Sequence, residues 1–140
     1  VTLMTITRPH WSFWLIAVLT LLWHLSGAVN LSFQISNPNM EGMPQWWRDV
    51  VNSRPLWATI AMVASVVAGI SGAIGLLLRK ANAQMLFIIS LIGTIVTLAH
   101  AFTVDGAPMR DLIMAIAMPI VSGAFFIWYA KMAKGKGWLN

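Results

Sequence analysis

The sequence contains no cysteine and only four acidic residues among 140. The missing cysteine excludes disulfides, thiolate-ligated zinc, iron–sulfur clusters and thiol redox chemistry. Charge of either sign is scarce: thirteen residues, nine basic and four acidic, make up 9% of the chain, against about 25% in an average soluble domain. Residues 57–78 and 83–102 carry no charge on any helical face. Water therefore cannot be the solvent around helices built from them. The formal charge of +5 does not mark a nucleic-acid partner, because the basic residues are scattered between apolar stretches instead of gathered with aromatics on one face.

Apolar length, by contrast, is abundant. A membrane span needs about 20 apolar residues at roughly 1.5 Å rise to cross about 30 Å of hydrocarbon. Four such stretches, at about residues 11–33, 55–78, 83–102 and 109–130, take up most of the chain. This predicts an all-α fold, a transmembrane four-helix bundle forming one integral membrane domain over residues 1–140, with no separate soluble domain. Ser26-Gly27-Ala28 has the small-residue character of a signal cleavage site, but the apolar run continues through Val29, Leu31 and Phe33, so an uncleaved span is expected. Asn37-Pro38-Asn39 ends the first span as a turn, and Ala81 to Gln84 is tight enough to force the second and third spans into a hairpin. In the first outer loop, Trp47, Val50 and Val51 share one helical face and Arg48 and Asp49 turn away, the pattern of a short interfacial helix. No internal repeat is evident, which argues against an inverted-repeat carrier within one chain.

Basic residues orient the spans. Arg8, Arg79, Lys80, Lys131, Lys134 and Lys136 share one side, against Arg48, Arg54 and Arg110 on the other, so both termini are expected in the cytoplasm. Tryptophans at 11, 14, 46, 47, 57 and 128 fall at the predicted boundaries. There an indole buries its ring and keeps its N–H wet, so these residues are expected to be anchors.

Two rows of small residues, Ala61, Ser65, Gly69, Ala73 and Ala64, Ala68, Gly72, run along the second span at four-residue spacing. Small side chains let helix backbones approach, so this span is the expected hub of the bundle, by packing within the chain or between two copies. Gly93, Thr97 and Gly123, beside Pro119, offer matching surfaces on the later spans. Asp105, Arg110 and Asp111 suggest an ion pair at the third turn.

No stretch holds a catalytic, metal-binding or phosphate-binding residue set. The polar candidates are His24, Asn30, Thr97 and His100, joined by Ser26 and Thr94, because polar groups inside a span are costly and either bond another helix or serve a ligand. From the hairpin side, His24 lies about 20 Å and His100 about 26 Å along their helices. The alternatives are structural polar packing, a proton or quinone site, or axial ligation of a haem.

Leu21-Leu22-Trp23-His24-Leu25-Ser26-Gly27-Ala28-Val29-Asn30, Pro55-Leu56-Trp57-Ala58, Ser71 to Arg79 and Tyr129-Ala130-Lys131 together resemble a family of small four-span proteobacterial inner-membrane proteins, often loosely labelled sugar transporters. The resemblance covers nearly the whole chain, implies a bacterial inner-membrane location, and brings no catalytic residue with it. It implies an asparagine where this chain has His24. The small multidrug transporters require a glutamate in the first span, and the quinone-linked disulfide enzymes require cysteines; this sequence has neither. The membrane-bound glutathione-dependent family uses an arginine-rich constellation that is also missing. The expected function is non-enzymatic: a packing or accessory subunit of a homo-oligomer or larger membrane complex in the lipid bilayer. A small oligomeric transporter or channel is the alternative, and a haem- or quinone-binding redox accessory the second alternative.

Overall fold

In a computed structural model, which describes residues 8–37, 39 and 41–140, the chain is an all-α bundle. Helix α1 spans Trp11–Ser36, α2 Gln45–Asn52, α3 Leu56–Leu77, α4 Ala83–Ala99 continued by a 3₁₀ turn His100–Thr103, and α5 Met109–Gly135. Four of these are long and apolar enough to cross a membrane: α1, α3, α4 with its 3₁₀ turn, and α5. The chain is thus a four-span membrane protein by length and composition.

Proline sets three of the starts. Pro44, Pro55 and Pro108 stand immediately before α2, α3 and α5, where a fixed φ suits helix entry and the missing N–H leaves no donor unpaired. His10 caps α1 by accepting the Ser12 backbone N–H at 3.3 Å.

Two spans outrun their expected ends. Helix α1 continues to Ser36, and both the backbone N–H and the side-chain amide of Asn37 bond the Phe33 carbonyl, at 2.9 and 3.2 Å. The expected turn there includes Pro38, which lies outside the described residues. Helix α5 continues through Lys131 and Lys134, good helix formers, and stops where Gly137 takes φ +75°. The Trp138 N–H then reaches back to the Ala133 carbonyl at 3.0 Å, the left-handed ending that glycine permits without a Cβ penalty. The residues after it are not a loose polar tail: Leu139 is buried, and Asn140 exchanges backbone bonds of 2.8 Å with Arg79 and Ala81 at the α3–α4 turn.

Helices α3 and α4 form the central pair, with α1 on the flank of α3 and α5 on that of α4. The small residues of α3 make this possible. A Cβ on Gly93 would lie 2.8 Å from the Ala61 carbonyl oxygen, and one on Gly72 would lie 2.9 Å from the Phe87 ring, so the two backbones are as close as side chains allow. Ser65, Ala68, Gly69, Gly72 and Ala73 are buried and Ala61 half-buried, but Ala64 is exposed and takes no part in the contact. The row it heads begins one turn later because α3 turns that end of it outward.

Two apolar clusters close the bundle's ends. At the hairpin end Phe13, Ala17, Leu76, Phe87, Tyr129 and Ala133 pack together. At the opposite end Val50 of α2 meets Ala101 and Leu112, flanked by Trp46 and Trp47. The expected interfacial helix is therefore present, but its apolar face rests on protein. Trp46 and Trp47 are half-buried in that contact, whereas Trp11, Trp14, Trp57 and Trp128 are exposed as anchors would be. No ion pair joins Asp105, Arg110 and Asp111 among the described residues. Asp111 lies in the first turn of α5, where the helix dipole favours an acid.

Candidate functional site

Because α1 and α5 each lean on a different central helix, they do not form a packed pair. Their ring contacts, Phe13 with Tyr129 and Trp23 and His24 with Phe126, reach no further toward the α2 end than the middle of α1. Beyond these the four helices enclose a cavity of about 440 Å³, within the range of sites that take small molecules. Ser26 and Asn30 on the α1 side of the seam are exposed, so the cavity's open flank faces the gap between α1 and α5.

The floor is aromatic. His24 lies 5.7 Å from Phe87 and 5.1 Å from Phe126, ring centre to ring centre, and the two phenylalanines are 5.9 Å apart. His24 fits only because its neighbour on α3 is Gly69, where a Cβ would come within 2.1 Å of the imidazole Cδ2. The His24 Nδ1 is 2.8 Å from the Thr20 carbonyl one turn back. In the neutral ring that bond fixes the proton on Nδ1 and leaves Nε2 as an acceptor.

One wall is a ladder of hydroxyls between α3 and α4. Ser65 donates to the Ser90 carbonyl and Ser90 to the Ser65 carbonyl, both at 2.8 Å. Thr94 donates to the Ser90 carbonyl at 2.9 Å and sits 2.6 Å from the Ser65 hydroxyl. Thr97 donates to the Gly93 carbonyl at 2.8 Å. Every hydroxyl proton is engaged within the ladder, one of them between Ser65 and Thr94 and the others on backbone carbonyls, so the ladder offers a ligand acceptor lone pairs and few donors. Pro119, on the opposite wall with Ala115, removes the helix bond to the Ala115 carbonyl and adds another acceptor.

Donors gather at the α2 end. The Arg54 Nη1 donates to the Gln34 side-chain oxygen at 3.1 Å and lies 2.9 Å from the Met62 sulfur. Gln34 in turn donates to the Asn30 carbonyl oxygen at 3.3 Å. The Arg54 Nε is buried with no hydrogen-bond partner, and no carboxylate pairs with this guanidinium among the described residues. Burial lowers the Arg54 pKa, yet an arginine stays charged across the physiological range. The site is thus a mostly apolar chamber with one unneutralised cation at its mouth.

His24, Asn30 and Thr97 share this cavity; His100 does not. It is buried at the end of α4, its Nε2 3.2 Å from the Ser53 hydroxyl and its Nδ1 3.3 Å from the Thr103 hydroxyl, with its ring edge-on to Trp57. His24 meets α3 at Gly69 and His100 meets it at Trp57, twelve residues or about 18 Å apart along the axis. Two nitrogens on one iron would stand about 4 Å apart, at roughly 2 Å per metal–nitrogen bond. The pair therefore cannot ligate one haem axially, and His100 serves to tie the α2–α3 connection to α4. No group of three or more histidine, cysteine or acidic side chains converges to hold a metal among the described residues.

Gln34, Ser65, Ser90 and Arg54 enter the site without having been singled out for it by pattern. Ser65 stood only as a small packing residue, and Arg54 as a cation of the outer side. The one available signal was that Arg54 abuts the start of a span with no acid within that span.

Searches against known proteins found no matching family model, no matching curated protein and no matching solved structure.

Proposed function

We propose that this chain is a non-enzymatic, multi-pass protein of the bacterial inner membrane that binds a small molecule inside its own bundle, as the receiving half of a transport step. The cavity carries this proposal: it is polar on one wall, open toward the α2 end and the α1–α5 seam, and shut at the hairpin end by rings. The count of basic residues favours the hairpin end on the cytoplasmic side, so the cavity would load from the outer leaflet or the periplasm. The resemblance to small four-span proteins loosely labelled as transporters agrees with this, and one protomer suffices to form the chamber.

An accessory subunit is the second possibility, favoured by the exposed apolar faces of α1 and α5. It loses its main sequence support, because the small-residue rows of α3 are largely used up within the chain.

The absence of native cysteine makes a clean test. Single cysteines at Asn30 or Thr94 should react with a membrane-impermeant, anionic methanethiosulfonate reagent added to the periplasmic face of spheroplasts, while one at Ala130 stays protected. Protection of all three would mean a dry bundle and would return the accessory subunit to first place.

A further inference from the structure

The cavity's polar groups are segregated, and the segregation specifies a ligand class. At the floor and along the α3–α4 wall, hydroxyl protons are committed to backbone carbonyls or to one another and His24 offers an acceptor, so nothing there welcomes an anion. At the mouth, Arg54 is the only cationic side chain lining the cavity among the described residues. Its Nη1 spends its donors on an amide oxygen and a thioether, and its Nε is buried without a partner. Arg54 is half-buried, and a partly desolvated charge gains from an opposite charge beside it. Glu41, Asp49, Asp105 and Asp111 are the chain's only acids, and none of them lines the cavity. A counter-charge for this guanidinium would therefore come from outside the chain. Between this cation and the aromatic floor the walls are mainly apolar, and the flank opens on the hydrocarbon side of α1 and α5.

We propose that the cavity selects amphiphiles with a single acidic head, which Arg54 binds at the α2 end while the apolar body lies along the α1–α5 seam toward Phe126. This rests on the cavity being the binding site. The acidic head is the shared chemistry of a free fatty acid, an alkyl phosphate and an anionic lipid.

Native mass spectrometry of the full chain in a non-ionic detergent tests it, with dodecanoate, dodecyl phosphate, dodecanol and dioleoylphosphatidylglycerol titrated in parallel. At least one acidic amphiphile should bind about tenfold to a hundredfold tighter than dodecanol, the range expected of a charge-assisted hydrogen bond. Which one does so separates a free amphiphile from a bilayer lipid. Arg54→Gln should abolish the preference for acid over alcohol, and Arg54→Lys should keep part of it. The second variant guards against a mere folding defect. Equal binding of acid and alcohol to the native chain overturns the charge selection, and so does a preference that survives Arg54→Gln. If dodecanol and dodecanoate both bind and Gly27→Phe, at a lining position where a Cβ meets nothing within 4 Å, abolishes both, the cavity remains the site and only the acidic-head inference fails. If no amphiphile binds, the proposal fails outright, while cysteine labelling of the chamber judges the cavity independently.

Discussion

Substituting Gly69 with alanine should set off a collision whose cost depends wholly on His24. The new Cβ would stand 2.1 Å from the imidazole Cδ2 and 2.7 Å from Nε2, where ordinary contact begins at 3.4 Å. The ring must therefore retreat by more than an ångström. It is held by the 2.8 Å bond from Nδ1 to the Thr20 carbonyl and boxed in by Phe87 and Phe126, so retreat means breaking that bond or repacking the floor. Overpacking of this kind costs about 1–3 kcal/mol. Against it stands the gain of roughly 0.8–1 kcal/mol when alanine replaces glycine inside a helix. In a His24→Ala background the obstacle is gone and only the gain remains. Gly69→Ala alone should then destabilise the bundle, while in His24→Ala it should be neutral or stabilising by up to about 1 kcal/mol, a coupling on the order of 2 kcal/mol. Reversible unfolding in mixed micelles, followed by tryptophan emission, measures all four corners of the cycle. An equal cost in both backgrounds would refute the placement of His24 against α3.

Gly93→Ala and Gly27→Ala form a sharper pair. The first drives a methyl to within 2.8 Å of the Ala61 backbone oxygen, while the second meets nothing within 4 Å. The same unfolding assay should show Gly93→Ala costing about 2 kcal/mol or more and Gly27→Ala neutral or stabilising, by overpacking and helix propensity respectively. His100→Ala should loosen the α2–α3 connection by removing its bond to Ser53, a loss of about 1 kcal/mol. Hydrogen exchange should read this as faster exchange at residues 50–54, with the cavity floor unchanged.

Much of the fold was legible because hydrocarbon imposes a simple rule: length and apolarity find the spans, and proline finds their starts. The ends of α1 and α5 were not legible, since Gln34 to Ser36 and Lys131 to Gly135 look polar enough to stop a span. Their helical state depends on partners remote in sequence, Arg54 for Gln34 and the α3–α4 turn for the tail. The small rows of α3 announced close packing correctly, but period alone cannot tell which helix fills each groove, so the fit of His24 into Gly69 stayed hidden. His24 and His100 appeared as a pair because depth was counted along two separate helices. Only the lateral packing against α3 shows that they belong to different layers. Asn30, His24 and Thr97 were found because polar atoms inside a span are conspicuous, whereas the place of Arg54 in the cavity wall was not legible because a cation just outside a span is ordinary.

The chamber owes its existence to how unevenly α3 distributes its small residues. Glycine and alanine on the face toward α4 draw those two backbones together and lock them with reciprocal serine–carbonyl bonds. The flanking helices are held differently at their two ends. At the hairpin end, Phe13, Tyr129 and Trp138 draw α1, α5 and the tail into one aromatic cluster, and Asn140 and the Arg79 side chain bind the tail to the α3–α4 turn. At the α2 end α5 is braced by Leu112 against Val50 and Ala101, and among the described residues α1 is joined to the α2–α3 connection by the hydrogen bond between Gln34 and Arg54. On the proposed reading, an acidic head and Gln34 would compete for the same guanidinium donors, so loading at the mouth would loosen the hold of Arg54 on α1.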